Sequence, residues 1–145
     1  MRVKKWALLA ALAVLICTWL LVLATRVSTP CEDYEEKLRA AERTEACIRV
    51  VHDLKLEMDI PINTASDIND TGVIGQDYSV ITTTLGELEA KRTSTNPNMA
   101  AVVVDMFHEL GLQPGDKVGV NCSGSLPALN IAVVWAVDTL GVAPV

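Results

Sequence analysis

The sequence of 145 residues is poor in aromatic side chains and in positive charge. Aromatic residues make up 4% of it, and the formal net charge is -6. A nucleic-acid-binding protein needs a basic face to meet phosphates, so nucleic acid is not expected as a partner. Half of the residues (50%) are hydrophobic, which excludes a disordered chain. The length suits about one domain of ~100–200 residues.

Motifs for metals and nucleotides are also missing. The four cysteines form no CxxC pair and no cluster with histidine, so we expect neither a structural zinc site nor any other metal or cofactor. The sequence contains no GxSxG, GxGxxG or P-loop spacing. Cys31 and Cys47 would lie ~24 Å apart on one helix, too far for a disulfide. Free thiols are expected, with an intermolecular Cys31 pair as the exception.

One long uncharged run stands near the amino terminus. Residues 6–24 read WALLAALAVLICTWLLVLA, and as a helix they would span ~28 Å, close to the thickness of a bilayer core. Residues 1–26 carry a charge of +4, and residues 27–145 carry -10. Basic residues stay on the cytoplasmic side, which predicts a single-pass cell-membrane anchor over 1–26 with an extracytoplasmic body. A cleaved signal peptide is the alternative, although its apolar region is usually only ~7–15 residues.

A charged segment without glycine or proline follows this run. Its apolar residues recur at steps of three and four between residues 32 and 58, which predicts an amphipathic stalk helix within residues 27–61. We expect the thin apolar stripe to pack on the body or on a second copy, and His52 to be a solvated or capping residue. The stripe consists of Tyr34, Leu38, Ala41, Ile48, Val51 and Met58.

Two loop segments are candidates for ions. Residues 67–72 imitate the start of a calcium-binding loop, but Tyr78 occupies the position that needs a bidentate Glu, so an Asx-rich turn with Gly72 at positive φ is predicted. After a possible strand over residues 80–84, two cations, Lys91 and Arg92, lie beside the hydroxyls of Thr93 and Ser94. These four residues could bind an anion, or they could be an ordinary helix end.

The last 50 residues indicate an open parallel α/β unit. Asn96-Pro97 suits a helix start, and Gly111 suits its end. A strand over 117–121, a helix over 127–140 and a strand from 142 are predicted next. Residues 62–145 are therefore expected to form an α/β, Rossmann-like domain. Its sheet would be unfinished, because one good strand and a second of four residues cannot bury their edges. A truncated domain is expected, with completion of the sheet by partner chains as the alternative.

The turn between the first strand and the second helix is a candidate ligand site. Ser123, Gly124 and Ser125 would lie at the carboxyl end of the strand, where a helix N-terminus exposes free N–H groups. Helix capping by serine is the alternative. A nucleophilic serine would need a His and an acid nearby, and the sequence shows neither.

The chain resembles the poly-γ-glutamate system proteins, which are encoded with genes for capsule-type polyglutamate synthesis and export. The likeness is carried by YSVITTTLG (78–86), LEAKRTSTNPN (88–98) and SGSLPALNIA (123–132). It covers nearly all of this chain but only the front portion of the family's usual length. The family's biochemical activity is undefined, so the resemblance assigns no catalytic residue.

The resemblance implies a membrane-anchored accessory component of poly-γ-glutamate production or export. Its partners would be the lipid bilayer and other membrane proteins of that system, with the polymer itself as a further candidate. A different hypothesis is an extracytoplasmic serine-dependent hydrolase or transferase acting on γ-glutamyl or other acyl bonds. That hypothesis requires a titratable group close to Ser123 or Ser125.

Overall fold

The computed structural model describes residues 5–76, 78, 80 and 86–145. It divides into two compact units, Met1–Glu32 and Asp33–Val145. The segment predicted as a separate stalk over residues 27–61 therefore belongs, from Asp33 onward, to the same unit as the body.

Helix α1, Lys5–Ala24, makes up most of the first unit, and none of its residues is buried. Its one hydroxyl, on Thr18, donates to the carbonyl oxygens of Val14 and Leu15 at 2.9 Å, which removes the cost of an unpaired polar group in an apolar environment. The helix is long and apolar enough to cross a membrane or to act as a signal sequence. The predicted apolar helix is thus confirmed.

The second unit is built on three mutually packed helices, with a short fourth helix beside them. These are α2 (Tyr34–Glu57), α3 (Leu88–Ser94), α4 (Met99–Glu109) and α5 (Pro127–Leu140), of which α2, α4 and α5 contact one another. The stripe predicted on α2 is confirmed at Ala41 and Ile48, which are buried, but Tyr34 and Met58 are exposed. Because α2 packs against two helices at once, its buried face also takes in Ala40 and Thr44.

Small side chains bring these three helices together. Ala40 of α2, Ala100 of α4, and Ala132 and Ala136 of α5 are all 0% exposed. The distance between packed helices depends on the side chains at the contact, and alanine permits a close approach. The core therefore needs few large residues around Val104, which agrees with the low aromatic content.

A small parallel sheet completes the body. Strands β1 (Lys117–Val118) and β2 (Ala143–Pro144) pair in parallel, with Lys117 opposite Ala143. Helix α5 is the connection that parallel strands require. Its predicted bounds are confirmed, and Gly141 ends it with a φ of 66°. The strands are shorter than predicted, although the Val120 N–H still donates to the Val145 carbonyl at 3.0 Å.

The structure agrees with the predicted α/β fold class only in combining helices with a small parallel sheet. The described residues are mostly helical with one small two-stranded parallel sheet, and a Rossmann-like sheet is not shown. Helix α4 begins at Met99 and ends at Glu109, which confirms the helix predicted over Met99 to Leu110. The predicted N-cap Asn96 lies before the helix, where its side chain accepts the Asn98 N–H at 3.0 Å. The strand predicted over 80–84 lies, apart from Val80, outside the described residues.

Candidate functional site

Arg92 of the predicted anion site is turned toward the protein. Its Nε donates to the Ser66 carbonyl and its Nη2 to the Ala65 carbonyl, both at 2.9 Å. Its Nη1 lies 2.6 Å from Glu89 Oε1. The guanidinium is thus occupied in fixing a surface turn onto α3.

The hydroxyls of the same segment are also used within α3. Thr93 Oγ1 donates to the Glu89 carbonyl at 2.8 Å, and Ser94 Oγ donates to the Lys91 carbonyl at 2.7 Å. Such back-bonding to the preceding turn is common for Ser and Thr in helices. Lys91 makes no ion pair or hydrogen bond with its side chain within the described residues. Of the four predicted residues, it is therefore the one available to a ligand.

The Ser123–Ser125 turn has a structural role at the start of α5. Ser123 Oγ accepts the Ser125 N–H at 3.2 Å, and the Ser123 carbonyl accepts Asn130 Nδ2 at 2.7 Å. The Ser123 hydroxyl thus closes a turn just before α5, whereas the N-cap position of the helix is Leu126, which makes no side-chain capping hydrogen bond. A Cβ added at Gly124 would meet nothing within 4 Å, so this glycine leaves open space on the outer side of the turn.

The two predicted site segments meet at Gly86. A Cβ at Gly86 would lie 3.4 Å from Lys91 Cε and 3.6 Å from Ser125 Cβ. The lysine and the serine are therefore neighbours, although 34 positions separate them in the sequence. The structure thus brings together Lys91 and Ser125 and turns Arg92, Thr93 and Ser94 into internal contacts.

A cleft in the described part of the body is lined partly by residues that follow α3, and it was not predicted. Its volume is about 680 Å³. Helix α2, the turn around Asp70, and residues 95–97 form its walls. The last wall is the end of the LEAKRTSTNPN segment, so the most specific motif of the sequence contributes directly to the cleft. The polar and charged residues that line it are Glu45, Arg49, His52, Asp53, Asn69, Asp70, Thr71, Thr95 and Asn96.

His52 is the titratable centre of the cleft. Its Nδ1 lies 3.0 Å from Asp53 Oδ1, and its Nε2 lies 3.6 Å from Asp70 Oδ2. The hydrogen bond with Asp53 raises the pKa of His52 above its usual value, burial opposes the rise, and the charge of Asp70 adds to it. Two carboxylates close to an imidazole stabilise its protonated, positively charged form. The cleft can therefore offer a cation, together with Arg49, within a rim of carboxylates.

A tight turn carries Asp70 to His52. The carboxylate of Asp67, 1% exposed, accepts the Gly72 N–H at 2.7 Å and the Thr71 hydroxyl at 3.0 Å. Gly72 has a φ of 72°, and a Cβ there would lie 3.0 Å from the His52 Cα. The predicted Asx-rich turn with Gly72 at positive φ is thus confirmed. Its function is to bring a loop carboxylate against a helix histidine.

Sequence reasoning missed His52 as a site residue because its second carboxylate partner, Asp70, is far along the chain. Asp70 is 18 positions away, and no spacing rule links a helix histidine to a loop aspartate. The available signal was the adjacent Asp53 together with the Asx-rich turn that follows the helix.

No protein-family model, curated protein or solved structure matches the chain. Function is therefore argued from the sequence segments and from the geometry that they produce. The relevant geometry is the pair formed by Lys91 and Ser125 and the cleft centred on His52.

Proposed function

We propose that the chain is a membrane-anchored accessory component of a poly-γ-glutamate synthesis or export system. The observation that supports this most strongly is the convergence of the segments that carry the resemblance. Gly86 ends the first segment, Lys91 belongs to the second and Ser125 to the third, and all three are neighbours. Residues from three segments that lie close together can serve one binding function.

The region around Gly86, Lys91 and Ser125 suits a protein partner better than the polymer. Residues 27–145 carry a net charge of -10, which repels a string of carboxylates beyond short range. Among the predicted cations, Arg92 is occupied by backbone carbonyls, which leaves Lys91. We therefore propose the other membrane proteins of the system as the main partners, with polymer contact confined to Lys91.

The membrane orientation is part of the same proposal. Helix α1 supplies the anchor, and the basic residues before it place the amino terminus in the cytoplasm. Cys122 is exposed in the body, so a chain that keeps only this cysteine can report orientation. A membrane-impermeant maleimide should label it on intact cells. Labelling only after lysis would contradict the extracytoplasmic position.

The small sheet fits a larger architecture. We propose that β1, α5 and β2 belong to an open parallel, Rossmann-like sheet that further strands complete. Two strands of two residues each are too short to be stable alone. The Ser123–Ser125 turn then lies at the carboxyl edge of that sheet, the usual ligand side.

The experiment that tests the proposed function is deletion of the gene in its host, followed by complementation. Loss of extracellular polyglutamate, restored by the intact gene, is expected. Lys91→Ala should restore it poorly, whereas Lys117→Ala, at an exposed position on β1, should restore it fully. Unchanged polymer in the deletion strain would overturn the proposal.

A serine-dependent acyl transfer or hydrolysis is the second candidate, because Lys91 and Ser125 both approach the same side of Gly86. In this reaction Lys91 would act as its unprotonated amine and accept the Ser125 hydroxyl proton as the oxygen attacks a γ-glutamyl carbonyl. Lys91 would then give that proton to the leaving amine, and water would hydrolyse the acyl-serine ester to release the acid and restore the hydroxyl. The test is hydrolysis of a γ-glutamyl amide by the full chain. Ser125→Ala should abolish it and Ser28→Ala, at an exposed serine, should not. Equal activity in both variants would remove this candidate.

A further inference from the structure

We propose that Asp33, Glu36 and His108 form a binding site for a divalent transition-metal ion of the Zn²⁺ type. One ligand atom from each residue lies within 4.8 Å of the other two. His108 Nε2 is 2.8 Å from Glu36 Oε2 and 3.8 Å from Asp33 Oδ2. Ligands bound at ~2.0–2.2 Å around one ion are ~3.0–3.6 Å apart. The two distances from His108 Nε2 bracket that range. Small side-chain rotations would therefore bring all three ligand atoms to bonding distance of one ion.

Two elements that are packed together hold these ligands. Asp33 and Glu36 stand three positions apart at the start of α2, a spacing that puts both side chains on one face. His108 is in the last turn of α4. The ion pair between Lys37 Nζ and Asp105 Oδ1, at 2.5 Å, joins the same two helices close by. The ligands are thus fixed by the packing of α2 on α4 rather than by a mobile loop.

Asp33 is placed as a ligand rather than as a helix cap. It occupies the N-cap position of α2, where an aspartate normally accepts a backbone N–H. In this chain it has a φ of 54° and makes no capping hydrogen bond with its side chain. Its carboxylate is directed instead toward His108, which leaves its oxygens available for a cation.

The donor set selects the class of metal. One imidazole nitrogen and two carboxylate oxygens suit Zn²⁺ and its neighbours in the first transition row, whereas Ca²⁺ and Mg²⁺ prefer oxygen alone. Neutral imidazole and two carboxylates carry a charge of about -2, which a divalent ion balances. The three side chains are 31–36% exposed, so water can occupy the remaining position. The C-terminal end of α4 also favours positive charge.

The other histidine provides a matched control within the chain. His52 has two carboxylates as well, but Asp53 lies at Nδ1 and Asp70 at Nε2. Carboxylates on opposite ring nitrogens cannot converge on one ion with a single nitrogen. Among the described residues, the group whose ligand atoms converge on one point is therefore the one around His108.

Sequence spacing could not reveal this site. Glu36 and His108 are 72 positions apart, and the absence of CxxC and His/Cys clusters led to the expectation of no metal. The proposal does not depend on the polyglutamate assignment, because it rests on three side chains and on the packing of two helices.

The test is titration of the full chain, in detergent and freed of metal with EDTA, with Co²⁺ as a visible probe for the zinc site. A cysteine-free variant (all four Cys→Ser) is titrated in parallel, so that thiolate binding is excluded. We expect saturable d–d absorption from one ion per chain, and displacement of Co²⁺ by Zn²⁺. Loss of a residue that only hydrogen-bonds to a metal ligand already weakens metal binding by ~10-fold or more. Loss of a ligand itself should therefore weaken Co²⁺ binding by at least that factor. His108→Gln, Asp33→Asn and Glu36→Gln should each show that loss, while His52→Gln binds as the unmodified chain does.

The controls keep the result decisive. The helical circular dichroism of each variant shows whether it has folded, and Glu36→Gln and Asp33→Asn replace His108→Gln if that variant fails. Absence of saturable binding would overturn the proposal. Equal binding by all three ligand variants, or loss of binding in His52→Gln instead, would also overturn it.

Discussion

Arg92 Nε donates a 2.9 Å hydrogen bond to the carbonyl oxygen of Ser66, 26 residues earlier in the chain. The Nη2 of the same guanidinium reaches the neighbouring carbonyl of Ala65. The planar fork of an arginine presents these donors in a fixed geometry, which the compact ammonium of a lysine does not reproduce. Arg92 therefore joins α3 to the turn that carries Asp70 into the cleft.

The substitution Arg92→Lys tests this link, because it keeps the charge and removes the fork. We expect a loss of about 1–2 kcal/mol in the free energy of unfolding, in line with charge-assisted hydrogen bonds at a partly exposed position. Urea denaturation followed by circular dichroism measures it. Arg39→Lys, at an exposed position of α2, should change the free energy by less than ~0.5 kcal/mol. Equal changes in the two variants would contradict the assigned role.

Gly72→Ala tests the turn itself. Its φ of 72° and the 3.0 Å approach to the His52 Cα leave no room for a Cβ, so a loss of about 1–3 kcal/mol is expected. Gly124→Ala is the matched control, since a Cβ there meets nothing within 4 Å. The same denaturation series compares them. A Gly72→Ala variant as stable as Gly124→Ala would show that the turn can relax freely.

The ion pairs of His52 predict how stability depends on pH. The pKa of His52 is raised in the folded chain, first by Asp53 and then by Asp70. The stabilisation is therefore fully present below the unfolded pKa of about 6.5 and is lost as the pH rises through the higher folded value. The melting temperature should fall across this interval in the unmodified chain and fall less in His52→Gln.

Asp53 and Asp70 should contribute unequally to the pH dependence that His52 produces. Asp53→Asn should flatten the pH profile of the melting temperature more than Asp70→Asn, because the hydrogen bond of Asp53 is the larger cause of the raised pKa. Identical profiles for His52→Gln and the unmodified chain would contradict the described clamp.

A buried hydroxyl offers a way to stabilise the body. Thr44 is 1% exposed, and its Oγ1 has no hydrogen-bond partner among the described residues. Thr44→Val removes the unpaired hydroxyl and keeps the shape, so a gain of about 1 kcal/mol is expected. Thr44→Ser keeps the hydroxyl, loses the methyl group and should destabilise. Thermal or urea unfolding measures both, and a destabilised Thr44→Val would reveal a partner for the hydroxyl.

Local sequence signals predicted the helices well. The apolar run of α1 and the glycines and proline that bound α5 are local features, and the structure follows them. The extent of the sheet was overestimated, because β-branched runs such as KVGVN predict an extended strand but not how much of it finds a partner. The packing of α2 within the body depends on buried alanines such as Ala40, which carry little hydrophobic signal by themselves.

The candidate site could be predicted only in pieces. Lys91 and Ser125 were each identified from local chemistry, but their proximity depends on the path of the chain through Gly86. Arg92 is a residue type that binds anions, but in this fold its guanidinium donates to two backbone carbonyls instead. His108 gains its partners only through tertiary packing, and His52 gains Asp70 in the same way, so spacing could not identify these contacts.

The central claim is that this chain works at the membrane with the polyglutamate machinery. Its most direct test is affinity purification of the tagged full-length chain from detergent-solubilised membranes of its host, followed by mass spectrometry. A tagged, unrelated single-pass protein serves as the control. The account predicts that the chain is found in the membrane fraction and specifically retains the membrane proteins of polyglutamate synthesis or export. Recovery from the soluble cytosolic fraction, or from membranes without any of those proteins, would contradict it.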